Sequence, residues 1–175
     1  MRKLLVLAAP LALLASPALA QSTDVTGTVS IDGSVTGRCM FTVPNKTISL
    51  GEISLASNGK LDVSKVNGRS ETLTGWCNNT AASMTVTTTQ LTNSTTAPTG
   101  FDNRVDYTAT ATTGSTSAND SSLTGGAGSP SSVGLFSGDI TVVLSAASSP
   151  NNALMVAGTY NGNVVVTLTP TVIGG

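Results

Sequence analysis

Apolar and polar residues alternate with a period of two along much of this sequence, and this pattern favours β-strands over helices. In residues 25–39 the odd positions are apolar or small, whereas the even positions are mostly Ser, Thr or Asp. Residues 160–168 show the same alternation. A period of two puts successive side chains on opposite faces of a strand, so that one face can be buried. Because no amphipathic helix of useful length is evident, the sequence predicts an all-β fold.

The composition agrees with this prediction and argues against nucleic-acid binding. Charged residues make up 10% of the chain and aromatic residues 3%. Ser and Thr at alternate positions can hydrate one face of a sheet while β-branched residues pack on the other. After residue 20, six scattered basic residues stand against nine acidic ones, for a formal charge of −3. A phosphate backbone requires clustered Lys and Arg, so nucleic acid is not expected as a partner.

The first twenty residues have the pattern of a secretory signal peptide. Arg2 and Lys3 precede an apolar stretch, and Ala18-Leu19-Ala20 supplies small residues for cleavage. The stretch is too short to span a bilayer comfortably. We therefore expect residues 1–20 to be removed during export, leaving a mature chain without a membrane span. An uncleaved membrane anchor is the competing interpretation.

Both cysteines, Cys39 and Cys77, lie in the part that is expected to be exported. An even number of cysteines in an oxidising compartment favours a disulfide. Closing a loop of about 39 residues would stabilise the fold by roughly 4 kcal/mol. The bond would also require the two strands that carry the cysteines to be neighbours. A metal site is not expected, because the chain has no His and two thiolates do not complete a tetrahedral zinc site.

Turn signals and short apolar runs predict the remaining elements. Asn58-Gly59 and Asn67-Gly68 predict turns. The predicted strands cover residues 40–43, 47–51, 70–78, 84–88, 101–109, 138–144 and 158–168. Residues 112–132, rich in Ser, Thr and Gly, are predicted to form a mobile surface loop. Asn161-Gly162 is a favoured hairpin turn and therefore conflicts with a continuous last strand.

The sequence offers little support for an enzyme or a cofactor site. Without His, the common Ser and Cys triads are excluded. A Ser-Lys pair is formally possible with Lys46, Lys60 or Lys65, but none of them has a recognisable spacing. Asp102 and Asp106 share a strand face with Arg104, and we expect a solvated ion-pair patch there rather than a glycosidase site.

Three groups of residues occur in a characteristic order. They are Val25-Thr26-Gly27-Thr28-Val29 before Gly37-Arg38-Cys39, then Gly75-Trp76-Cys77-Asn78, then Ala157-Gly158-Thr159-Tyr160 before Val164-Val165-Val166-Thr167-Leu168. In this order they resemble subunits of the chaperone-usher pili, especially the archaic type with spore coat U-like domains. The resemblance implies an incomplete immunoglobulin-like β-sandwich. It divides the chain into a signal peptide (1–20), a donor-strand extension (21–31) and a pilin-like domain (32–175).

The resemblance also implies a function and a set of partners. A periplasmic chaperone would fill the groove left by the missing strand during export, and the donor strand of another pilin subunit would then replace it at the outer-membrane usher. The donor side chains would be Val25, Gly27, Val29 and Ile31. The groove and terminal strand would present Tyr160, Val164, Val166 and Leu168. The product would be a surface fimbria that supports adhesion or biofilm formation.

A carbohydrate-binding or tip-adhesin module that completes its own fold is the alternative from a different class. Sugar sites favour exposed aromatic rings, and this chain has few of them. Trp76 adjoins Cys77, and we expect the indole to pack against the disulfide rather than to bind a sugar.

Overall fold

The computed structural model describes residues 23–171. The predicted signal peptide, the first two residues of the predicted donor extension and residues 172–175 lie outside the described residues. The chain divides into two units, residues 1–34 and residues 35–175. In the first unit, residues 23–34 form no regular strand, although their alternation predicts a half-buried one.

Among residues 35–171, the regular structure consists of β-strands and one 3-10 helix, Val63–Lys65. The strands are β1 (Cys39–Val43), β2 (Ser70–Cys77), β3 (Ser83–Thr88), β4 (Leu91–Thr92), β5 (Phe101–Asp102), β6 (Arg104–Thr113), β7 (Thr116–Ser121), β8 (Ser131–Ser132), β9 (Phe136–Ser148), β10 (Leu154–Met155) and β11 (Val164–Thr169). The prediction of an all-β fold is confirmed.

The strands form one large and one small antiparallel sheet, with a short parallel pair beside them. In the large sheet the order is β1-β2-β9-β6, and the other edge of β6 pairs with β4 and β7. In the small sheet the order is β11-β3-β8, while β5 and β10 pair in parallel. This arrangement is consistent with a β-sandwich.

Alternate residues of both sheets bury a common core. Met84 and Val86 of β3, Val105 and Ala109 of β6 and Ile140 of β9 are fully buried. Their spacing of two along each strand matches the predicted inner faces. Burial of aliphatic side chains on this scale is the main favourable term in folding.

The disulfide forms as predicted, and it joins neighbouring strands. Cys39 and Cys77 are bonded and lie directly opposite each other in the β1–β2 pair. Asn78 extends this pairing past the strand ends, because its side chain accepts a hydrogen bond from Arg38 N and donates one to Thr36 O at 3.2 Å. The start of β1 is therefore fixed to β2 both covalently and by hydrogen bonds.

Residues 112–132 were predicted to form a mobile loop, and this prediction was wrong for residues 112–121. β6 continues to Thr113, and β7 returns beside it from Thr116. Gly114, at φ 55°, allows the two-residue turn between these strands. Asp120 of β7 is buried, and its Oδ2 accepts hydrogen bonds from the backbone N and the hydroxyl of Thr88, both at 2.7 Å.

Three other predicted positions are also corrected. Asp102 and Asp106 do not form a solvated patch, because both are buried, at 3% and 1% exposure. Trp76 alternates with the buried Cys77 along β2, so its indole lies on the opposite face from the disulfide.

We expect reduction of the disulfide to lower the free energy of unfolding by about 4 kcal/mol, because the reduced unfolded chain regains loop entropy. Urea denaturation with and without a thiol reductant measures this difference. The double variant Cys39→Ala/Cys77→Ala serves as the control, since the reductant should not change its stability. An equal response of both proteins to the reductant would contradict the prediction.

Candidate functional site

An open groove runs between residues 46–54 and residues 155–164. It consists of two clefts of about 660 Å³ and 240 Å³. Both clefts are lined by Ile48, Leu50, Leu91 and Gly162, so they form one continuous depression. We refer to this depression as the groove. It lies wholly within the second unit of the chain.

The floor of the smaller cleft is made by side chains of the large sheet. These are Leu73 of β2, Tyr107 of β6, and Val142 and Leu144 of β9. Val164 of β11 forms part of the wall. The groove therefore gives access to apolar side chains that belong to the core or pack against it.

β11 borders the groove, and the phase of its pairing with β3 follows from one hydrogen bond. Asn163 O accepts from Thr89 N at 2.9 Å. In an antiparallel ladder, residues alternate between pointing their N–H and C=O groups toward and away from the partner. Residues 165, 167 and 169 therefore bond to β3, whereas residues 164, 166 and 168 direct these groups toward the free edge.

A second hydrogen bond agrees with this phase. Val86, opposite Val166, turns its carbonyl away from β11 and accepts from Gly128 N at 2.9 Å. Within residues 23–171, no hydrogen bond to the backbone groups of residues 164, 166 and 168 comes from the free edge. β11 therefore offers three residues of unpaired ladder.

β1 is the corresponding edge of the large sheet. Within the described chain it pairs with β2 alone, and its Cα atoms come within 8 Å of those of β11. The free edges of the two sheets thus lie on the same side of the fold.

Residues 47–51, predicted as a strand, form the lip of the groove instead. They have no regular secondary structure, although Ile48 and Leu50 are partly buried against the core. A strand requires a hydrogen-bonded neighbour, and this segment faces the groove. Its β-like sequence is therefore extended without a ladder.

Asn161-Gly162 is not a hairpin turn, since the chain continues past it into β11. Asn161 exchanges two backbone hydrogen bonds with Thr92, at 2.9 and 3.1 Å. The regular strand nevertheless begins only at Val164, rather than at residue 158 as predicted. A Cβ at position 162 would lie 2.8 Å from Gln90 O, so glycine is needed there for close approach and not for a turn.

Two tyrosines hold the chain that leads into β11. Tyr107 Oη donates to Asn163 O at 3.4 Å, and Tyr160 Oη donates to Val156 O at 2.8 Å. Burial, with a smaller effect of the Asp120 carboxylate, raises the pKa of Tyr107 to about 12. Burial likewise raises the pKa of Tyr160. Both hydroxyls are therefore protonated donors at neutral pH.

Asp102 organises the loop before this segment. Its carboxylate accepts from Asn151 N at 3.1 Å, Asn151 Nδ2 at 2.8 Å and Ala153 N at 3.0 Å. Burial alone would raise the pKa of Asp102, but the hydrogen bonds from Ala153 and Asn151 outweigh it and hold the pKa below its ordinary value. A charged carboxylate thus fixes residues 151–153 beside the groove.

The structure brings together the predicted terminal-strand residues. Val166 is buried, while Tyr160, Val164 and Leu168 pack partly buried against the core on the same face. The predicted donor residues belong to the first unit, where Val25, Val29 and Ile31 are 94%, 86% and 92% exposed. Gly27 lies between them and is also exposed.

Sequence reasoning missed the lip and the floor of the groove. The missed residues are Ile48, Leu50, Leu73, Leu91, Tyr107, Val142 and Leu144. Most of them are apolar residues in phase with a strand, a pattern that indicates burial in the core. Nothing local showed that their side chains would border an opening.

We expect Gly162→Ala to lower the free energy of unfolding by about 1–3 kcal/mol, because its methyl group would press on the Gln90 carbonyl. Gly125→Ala is the matched control, since a Cβ there meets nothing within 4 Å. Urea denaturation of both variants measures the two effects. Equal stability of the variants would contradict the proposed close approach.

We expect the contribution of Asp102 to stability to depend on pH. Its folded pKa lies below the ordinary value of 3.8, so the contribution is present above that pH and is lost as the pH falls through the folded pKa. The gap in unfolding free energy between the natural protein and Asp102→Asn should therefore be widest at neutral pH. Denaturation from pH 7 to pH 2 measures it, with Asp32→Asn as the exposed control. A gap that does not change with pH would contradict this assignment.

The site contains an unpaired strand edge and a groove lined by both polar and apolar residues. Within residues 23–171, no three His, Cys, Asp or Glu side chains cluster as metal ligands would. Across the same residues, no helix is long and apolar enough to cross a membrane. Comparisons with protein-family models, with curated proteins and with solved structures found no match.

Proposed function

We propose that this chain is a structural subunit of a surface fibre, in which the N-terminal segment of one copy adds as a strand to the groove of another. One observation carries the proposal: β11 has an unpaired edge, and Val164 at its start lines a groove whose floor is formed by apolar side chains of the large sheet. The same chain has an exposed segment with an apolar residue at every second position of 25–31, apart from Gly27. The added strand would complete a sandwich of the immunoglobulin-like pilin type.

The proposed donor is long enough to cover the unpaired edge of β11, and its apolar side chains suit the apolar floor of the groove. Seven residues of extended chain, 25–31, span roughly 20–25 Å. Their inward side chains would cover the partly buried wall formed by Val164 and Leu168. Their backbone groups would pair with residues 164, 166 and 168. Strand addition supplies affinity through the main chain and specificity through alternate side chains.

Exposure of the donor residues supports exchange between copies. Val25, Val29 and Ile31 are large apolar side chains, and each is at least 86% exposed. Burying an aliphatic side chain of this size contributes roughly 1.5–3 kcal/mol. Insertion into a second copy would bury all three and would pair the free edge of β11 in the same step.

The proposal includes a route to the cell surface. The chain would leave the cytoplasm by its signal peptide, form its disulfide in the periplasm and bind a chaperone that covers the groove. An outer-membrane usher would then exchange the chaperone for the next subunit. The fibre would support adhesion or biofilm formation, and its role would be structural rather than catalytic.

We expect Val29→Lys to weaken polymerisation strongly, because the ammonium group would replace an apolar side chain against Leu73, Val142 and Leu144, at a cost that the nearby Glu71 carboxylate only partly offsets. Thr28→Lys is the matched control: its side chain would point out of the groove, and the polymer should form. Gel filtration with light scattering, together with electron microscopy, measures polymer formation. Equal polymerisation of the two variants would contradict strand insertion in this register.

Deleting residues 21–30 tests the role of the whole segment. The truncated chain should be monomeric, and an added peptide of residues 21–31 should bind it and raise its melting temperature. Polymer formed by the truncated chain would overturn donor exchange. A stable full-length monomer that binds glycans tightly would favour the carbohydrate-binding module instead.

A further inference from the structure

An exposed apolar patch lies at the end of the fold from which the N-terminal segment leaves. Met40 and Trp76 are direct partners in the β1–β2 pair, and Met40 is 55% exposed. Leu135, 62% exposed, directly precedes β9, whose first residue pairs with Cys77. We call Met40, Trp76 and Leu135 the head patch. It adjoins the disulfide and the start of β1.

A second exposed apolar patch lies at the far end of the groove. Phe101 and Leu154 are opposite each other in the β5–β10 pair and are 38% and 40% exposed. Leu154 directly precedes Met155, which lines the groove. We call Phe101 and Leu154 the tail patch.

The direction of β11 relates the two patches to the proposed strand addition. β11 runs toward the disulfide end, because Thr171, two residues after it, accepts a hydrogen bond through its carbonyl from Asn79 Nδ2, and Asn79 is two residues after Cys77. Antiparallel pairing is slightly more stable per residue than parallel pairing. An antiparallel donor would therefore run away from the disulfide end, and its last residue, Ile31, would lie near the tail patch of the acceptor copy.

Chain length then limits the distance between the two copies. Residues 32–38 join the donor strand to β1 of its own copy and span at most roughly 25 Å when fully extended. Met40 follows one residue after Cys39. The head patch of the donor copy is thus tethered close to the tail patch of the acceptor copy.

We propose that the head patch of each copy packs on the tail patch of the copy that receives its donor strand. The inference rests on the proposed function and names a second contact at the same junction. The contact joins two different surfaces, so it repeats from copy to copy along a fibre. Because the donor strand tethers the copies, even a small apolar contact would form at high effective concentration.

The chain contains one Trp, so Trp76 reports on this junction without interference. In polymers of the full chain, we expect Trp76 emission at shorter wavelength and weaker quenching by iodide than in the monomer. Met40→Glu and Leu154→Lys should each still polymerise but should restore monomer-like quenching, because each places a charge against an apolar patch. The double variant should regain protection, because the two charges have opposite signs and meet at every junction.

Leu123→Glu is the matched control, because Leu123 is 66% exposed and lies outside both patches. This variant should polymerise with the same Trp76 protection as the natural chain. Melting temperatures of the monomers establish that each variant folds. A polymer in which Trp76 is as accessible as in the monomer would overturn this inference alone. Failure of the natural chain to polymerise would overturn strand exchange and this inference together.

Discussion

The pairing of β11 on one side only is the constraint on which the rest of the structure depends. Its inward side chains complete the core, so the strand must stay in place. The backbone groups of residues 164, 166 and 168 nevertheless face an edge that no described strand covers. An exposed edge of this kind favours the addition of another chain. β11 is therefore ordered by its pairing with β3 and by its inward side chains, while its other edge is unpaired among the described residues.

Several buried polar side chains preserve this arrangement. Asp120 accepts a hydrogen bond from the backbone N of Thr88 at the end of β3. Asp102 accepts one from the backbone N of Ala153, in the loop before the groove. Asn93 Nδ2 donates to Ala157 O at 3.1 Å and fixes the chain that enters β11. Buried polar groups are costly unless they are hydrogen-bonded, so each of these positions specifies one backbone geometry. These hydrogen bonds thus fix backbone segments that lead into β3, β10 and β11.

Sequence reasoning was most successful where local periodicity and tertiary structure agree. The extents of β2 and β3 were predicted to within one residue, and the inward residues of β11 were predicted correctly. The β6–β7 hairpin was missed, since the Gly114-Ser115 turn lies within a run of similar small residues. The burial of Asp106 follows from a β-bulge beside it, which a pattern of period two does not reveal. The groove could not be predicted from local sequence patterns, because it depends on which segments, distant in sequence, do not pack against each other.

The position of the disulfide has a mechanical consequence for a chain joined to its neighbour through residues before β1. Tension on such a chain would enter the domain at Arg38 and reach Cys39 first. Without the covalent bond, the load would peel the β1–β2 hydrogen bonds apart one after another. Since Cys39 is bonded to Cys77, the force passes directly into β2, which is held along its length by β9. The disulfide therefore transfers the load to β2, so that the hydrogen bonds of β1 do not have to bear it alone.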